Sequence, residues 1–144
     1  MVQSLLVDNE IQINLYYTFK ATKSGQNKAV VLKDEKAKEM MESEDDKEEV
    51  GMVETTWKVM SWKEQNDITK GSTIQTMEGQ EIDWMSFRDK RLKTCLIGWN
   101  LKDKDEKPVI LTHEAIDSLP SDIVNALLIK FDELTSLTGD EEKN

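Results

Sequence analysis

Val53-Glu54-Thr55-Thr56-Trp57-Lys58-Val59, followed after one residue by Ser61-Trp62-Lys63-Glu64 and closed by Gly71, is the stretch whose reading decides the fold. Val53, Thr55, Trp57 and Val59 alternate with polar neighbours, the two-residue period of a strand with one buried face. At Ser61 the pattern changes. Ser61 and Glu64 match a capping box, in which the Ser hydroxyl accepts from the Glu64 amide while the carboxylate returns to the Ser61 amide. Gly71 is placed as the residue just past the end of that helix, where a left-handed backbone costs glycine little. Within twenty residues the chain turns from strand to helix, so the expectation is an α+β fold with strands first and helices after.

Working outward toward the N-terminus, Ile11, Ile13, Leu15, Tyr17 and Phe19 alternate with Gln12, Asn14, Tyr16 and Thr18, predicting a strand with its apolar members on one face. Asp8-Asn9 separates that strand from Leu5-Leu6-Val7, which suggests a short hairpin. Ser24-Gly25-Gln26-Asn27 signals a turn into a further strand at Ala29–Leu32. Lys and acidic residues dominate from Lys33 to Glu49, with Ala37, Met40 and Met41 spaced for one short amphipathic helix. The stretch 34–50 as a whole reads as an acidic mobile loop, because Glu42–Glu49 cannot bury enough apolar area to offset its ordering entropy.

Outward in the other direction, Ser72–Gln80 reads as a connection with a turn at Glu78-Gly79. Ile82, Met85, Leu92, Cys95, Leu96 and Trp99 keep a helical period, predicting a long helix from about Asp83 to Gly98. Asp103–Lys107 reads as a charged turn. Thr112 caps a short helix that runs through Ser118, and Pro120 interrupts before a last helix from about Asp122 to Leu137. Ile123, Val124, Leu127, Leu128, Phe131 and Leu134 make its apolar stripe, Gly139 stops it, and residues 139–144 form a frayed tail. The whole is expected to be one domain, residues 1–60 mainly β and residues 61–138 mainly helical.

Composition bounds the function. The 144 residues hold 29 Asp and Glu against 19 Lys and Arg, a net charge of -10, which repels nucleic acid and anionic membranes. The densest basic run, Arg88-Asp89-Lys90-Arg91, is broken by an acid and reads as a solvated helix face. A single cysteine excludes an internal disulfide framework and points to a reducing compartment. No stretch approaches the roughly 20 apolar residues of a membrane span, and Met1–Val7 lacks the basic start of a signal peptide. The expectation is a soluble intracellular protein that binds neither nucleic acid nor membrane.

Residues able to carry chemistry are few. His113 is the only histidine; Asp117 lies four residues on, but a metal site needs further ligands, so a solvated first-turn histidine is the plainer reading. Cys95 sits on an apolar stripe without a partner base, which suits a small buried hydrophobe better than a nucleophile. Asp103-Lys104-Asp105-Glu106 lacks the glycine that a calcium loop needs at its sixth position. No phosphate loop, nucleophile elbow or zinc motif occurs, so the sequence points away from an enzyme, with no catalytic, cofactor-binding or metal residue assigned.

Contact with another protein is the remaining reading. Trp57 and Trp99 fall on faces expected to be buried, whereas Trp62 opens a helix and Trp84 lies one residue off the main stripe. Trp62 and Trp84 are therefore candidate partner contacts. The acidic residues Glu44, Asp45, Asp46, Glu48 and Glu49 are a second candidate set, able to dock on a basic partner.

The order Thr56-Trp57, Ser61-Trp62-Lys63-Glu64-Gln65-Asn66, Ile82 to Phe87 to Leu92 to Trp99-Asn100, Lys107-Pro108-Val109 and Leu119-Pro120 resembles the small tail-assembly-chaperone-type proteins of long-tailed bacteriophages. The resemblance covers about Val53 to Leu134 and consists of packing and turn residues. Where that pattern usually has a glycine before Lys-Pro, this chain has Glu106, and its N-terminal β portion has no counterpart in the pattern. The resemblance implies binding to another phage protein, such as the tape measure, the tail tube or another virion component. It implies no cofactor and transfers no functional residue. Host cytoplasm during assembly, or the virion itself, is the location it implies. Three readings follow: a transient chaperone, a permanent virion component in tail, neck or capsid that associates with itself or others, and an acidic regulatory or inhibitory protein.

Overall fold

A computed structural model describes residues 10–45 and 49–136. The fold is α+β, with antiparallel strands in the N-terminal part followed by helices, five helices in all among the described residues. The expected hairpin at Leu5–Asn9 and the helix stop at Gly139 lie outside these residues.

Strand β1 (Glu10–Ala21) and strand β2 (Asn27–Leu32) form a hairpin whose register pairs Tyr17 with Val31 and Phe19 with Ala29. Gly25 closes the turn with φ +86, a conformation that suits glycine, and donates to Thr22 O at 2.9 Å. Strand β3 (Gly51–Lys58) follows, with Val53, Thr55 and Trp57 buried and Glu54 exposed. The expected alternation is therefore present through Trp57, whereas Val59, expected on the same buried face, lies past the end of the strand and is exposed. The four-stranded sheet has the order β2-β1-β3-β6, where β6 (Leu96–Trp99) comes much later in the chain.

Helix α1 (Asp34–Glu42) occupies the start of the segment read as an acidic loop. Ala37 is fully buried on it, and that anchor lets a highly charged stretch form a helix. Helix α2 (Trp62–Gly71) has the capping box: Glu64 N donates to Ser61 Oγ at 3.2 Å and Ser61 N donates to Glu64 Oε1 at 3.1 Å. Gly71 is its last helical residue and not a left-handed cap, which corrects the expectation. Its lack of a side chain serves a different end. The Lys90 ammonium donates to Gly71 O, and a Cβ at Gly71 would crowd that Nζ.

The supposed connection after α2 is a second, two-stranded sheet, β4 (Thr73–Thr76) with β5 (Gly79–Ile82), joined by Met77-Glu78. Helix α3 (Trp84–Cys95) starts at Asp83, whose carboxylate accepts from Met85 N and Ser86 N at 3.2 and 3.3 Å. It ends at Cys95 rather than at Gly98. The apolar run Leu96-Ile97-Gly98-Trp99 becomes β6, because pairing in the sheet satisfies its backbone where four more helical residues would have left the sheet edge open. Helix α4 (His113–Asp117) is capped by Thr112, and α5 (Ser121–Thr135) buries Ile123, Leu127, Leu128 and Phe131. At about 1.5–3 kcal/mol for each large apolar side chain buried, that stripe is a principal stabiliser of its unit. Leu134, expected on the stripe, is exposed.

The chain divides into two compact units. One joins residues 10–12 to Thr56–Gly98 and holds α2, β4, β5 and α3; the other joins residues 13–45 and 49–55 to residues 99–136. The chain passes between them inside β1, β3 and β6. Trp57, Ile68, Leu92, Cys95 and Leu96 are the buried core of the first unit. In the second, Ile13, Leu15 and Val53 of the strands, Ala37, Ile116 and the four α5 residues form the core. Two groups fasten the second unit locally. Asn100 continues the strand pairing with its side chain, donating to Met52 O at 3.2 Å and accepting from Glu54 N at 2.9 Å. The Trp99 indole donates to Val109 O at 2.7 Å.

Candidate interaction surfaces

The first unit carries its apolar surface on ordered supports. Trp62 stands in the first turn of α2 at 82 % exposure, and Trp84 opens α3 at 66 %. Phe87 meets Trp84 edge to face, with ring centroids 5.5 Å apart, so the indole is buttressed on one side. Met85, next along, is also exposed. The β4–β5 hairpin adds Ile74 and a fully exposed Met77 at its tip. Its turn is tied by one hydroxyl: Thr76 Oγ1 donates to Gly79 O at 3.0 Å and accepts from Glu78 N at 3.3 Å. Gly79 has φ +124, a value that would strain any other residue. At the base, Asp83 N donates to Ser72 O at 2.7 Å.

The second unit carries a depression instead. Tyr17 and Phe19 of β1, Ala29 of β2, Val53 of β3, and Leu119 and Ile123 around the start of α5 line an apolar groove of about 150 Å³. The period of β1 explains its position. Ile13, Leu15, Tyr17 and Phe19 share one face of the strand; the first two are buried, Tyr17 is half-buried and Phe19 is 60 % exposed. The groove is the part of that face the helices leave open. Tyr17 keeps its place because Gly51 has no side chain, since a Cβ there would overlap the Tyr17 ring. Lys28 and Asp122, flanking Ala29 and Ile123 in sequence, pair at 3.1 Å. On the other face of β1, Thr18 is buried, contrary to its expected outward position.

The acidic set is only partly placed. Glu44, Asp45 and Glu49 are exposed, while Asp46 and Glu48 lie outside the described residues. Glu49 lines a mixed polar and apolar depression with Lys36 and Met40 of α1. The two tryptophans and the acidic residues therefore belong to different units. Charge follows the same division. The unit with the tryptophans holds seven Lys and Arg against eight Asp and Glu over its full sequence, and the unit with the groove holds twelve against 21.

Of the residues weighed for chemistry, Cys95 belongs to the first unit and His113, Asp117 and Asp103 to the second. His113 is exposed at the start of α4 with Asp117 exposed one turn on. Burial pushes the Cys95 thiol up to about 11, the Arg91 guanidinium opposing it, so at neutral pH it holds its proton. In the charged turn, Asp103 Oδ1 accepts from Asp105 N at 2.8 Å and Lys107 N at 3.0 Å, a turn-closing use of that carboxylate. Among the described residues no group of three His, Cys, Asp or Glu converges to hold a metal ion, and no helix is long and apolar enough to cross a membrane. Sequence reading found Trp62 and Trp84 but missed Met77. The signal for Met77 was present in Thr76-Met77-Glu78-Gly79, a two-residue turn flanked by Ile74 and Ile82.

No protein-family model, curated protein or solved structure matches the chain.

Proposed function

We propose that this chain is a non-enzymatic protein of bacteriophage morphogenesis that acts through protein–protein contact, in the manner of a tail-assembly chaperone. The observation that carries the contact reading is the display of Trp62, Trp84, Met85 and Met77 in solvent on capped helix starts and a tied turn. Large apolar side chains on rigid supports lose little entropy when a partner covers them, which is how interface anchors work. The phage part rests on the order of packing and turn residues from Thr56 to Pro120. The client is an unassembled phage protein, no cofactor takes part, and the host cytoplasm is the place of action.

A permanent virion subunit is the second reading, favoured by the projecting hairpin, since a subunit that stays needs contacts made once and kept. Purified particles separate the two. Mass spectrometry should find the chain absent from finished particles, while a tagged copy co-purifies with one morphogenesis protein during assembly. Stoichiometric presence in particles would replace the chaperone reading by the subunit. Absence from both particles and assembly intermediates would sink the phage reading altogether. Trp84→Ala should weaken the co-purification at least about tenfold if the indole is an anchor.

A further inference from the structure

Seven methionines stand in the chain against one cysteine. Their exposure is unequal. Among the described residues, Met77 at the tip of the β4–β5 turn is fully exposed and Met85 in the first turn of α3 is 84 % exposed. Met41 and Met52 follow at 48 % and 37 %, and Met40 and Met60 are half-buried. The Cys95 sulfur is fully buried and its thiol keeps its proton, so the group that oxidants ordinarily attack first is withheld. Of the described sulfurs, the thioethers of Met77 and Met85 are the ones solvent reaches most freely, and both lie in the unit that displays Trp62 and Trp84. The hydrogen bonds that fix these two positions use other groups. The turn is tied through the Thr76 hydroxyl, the hairpin base through Ser72 O, and the start of α3 through the Asp83 carboxylate.

We propose that Met77 and Met85 are sites of reversible oxidation, at which a peroxide turns the contact surface of this unit from apolar to polar without unfolding it. The thioether sulfur attacks one oxygen of hydrogen peroxide. The S–O bond forms as the O–O bond breaks, and the departing oxygen takes the proton of the transferred one and leaves as water. The sulfur is thereby oxidised to the sulfoxide and the peroxide reduced. The reverse step draws on two thiols of a sulfoxide reductase, which close to a disulfide while the sulfoxide oxygen leaves as water. A sulfoxide is a hydrogen-bond acceptor where the thioether is nearly apolar, so covering it in an apolar contact leaves an unsatisfied dipole. The inference rests on the contact reading above and adds its regulation: the reduced chain binds and the oxidised chain releases.

The test exposes the purified full chain to hydrogen peroxide and follows each methionine by peptide mass spectrometry. Met77 and Met85 should gain oxygen first, ahead of Met40, Met60 and Cys95, with an unchanged circular dichroism spectrum. Retention on a phenyl column, a probe of exposed apolar surface that needs no partner, should fall on oxidation. It should return after treatment with methionine sulfoxide reductases and dithiothreitol. The double variant Met77→Leu, Met85→Leu should hold its own untreated retention in peroxide, and Met77→Gln should show lowered retention without it. The morphogenesis protein that co-purifies with the tagged chain should be held at least about tenfold more weakly by the oxidised chain. Earlier oxidation of the half-buried methionines, loss of the spectrum, or a Leu pair that responds like the wild type overturns the proposal. So does equal capture by the reduced and the oxidised chain. Capture by neither marks a different failure, that of the contact reading itself, and takes the switch with it.

Discussion

Cys95 and Glu106 each hold a state that the surrounding structure imposes. The Cys95 thiol has an ordinary value of 9.0 and is raised to about 11 in the folded chain by burial. Between those values unfolding releases a proton, so stability falls as pH rises, by up to about 1.4 kcal/mol per pH unit from this group. Urea midpoints taken from pH 8 to 11 should show that slope for the native chain and a shallower one for Cys95→Ala. Equal slopes would mean that the thiol is not the group responsible. Glu106 is the one non-glycine residue with positive φ among those described, at +61, in the turn closed by Asp103. A side chain there costs about 1 kcal/mol relative to glycine. Glu106→Gly should raise the melting temperature slightly, and a fall would show that the turn does not keep this backbone.

At the scale of elements, α2 rests on its first turn. The Glu64 carboxylate is pulled below its ordinary value by the Lys58 ammonium 2.5 Å away and then by the Ser61 amide. A carboxylate lowered in this way contributes stability that is present above its unfolded value of 4.5 and lost as pH falls through the folded one. Ser61→Ala removes the hydroxyl cap and should cost about 1 kcal/mol at pH 7. Chemical denaturation measures it, and a cost near zero would mean that α2 is fixed by packing of Ile68 alone. The helix α3 and the strand β6 give a different lesson. Their joint sequence from Asp83 to Trp99 has helical spacing throughout, yet only the residues up to Cys95 are helical. A sheet edge at β3 competes for the last four residues, and spacing along the chain carries no information about that edge.

At the scale of the molecule, charge is unevenly spread, and the groove-bearing unit holds most of the excess acid. Self-repulsion of this kind is screened by salt, with a Debye length near 10 Å at about 0.1 M. Raising sodium chloride from about 0.02 to 0.2 M should therefore raise the thermal midpoint. A midpoint that falls instead would mean that ion pairs such as Lys28–Asp122 and Lys130–Asp34 outweigh the self-repulsion. The sequence by itself determined the α+β class, the strands at β1 and β3, the capping box at Ser61, the Thr112 cap and the apolar stripe of α5. Each depends on neighbours within one strand or one or two turns of helix, so the information is local. It also placed Ile13, Leu15, Tyr17 and Phe19 on one face. Only the tertiary structure decided that the helices cover the first two and leave Tyr17 and Phe19 lining an open groove. Tertiary packing likewise left the 73–82 hairpin without cover and returned Leu96–Trp99 to the sheet. Periodicity says which side chains point together; what lies against them is set by segments distant in sequence, whose positions follow from the packing of the whole.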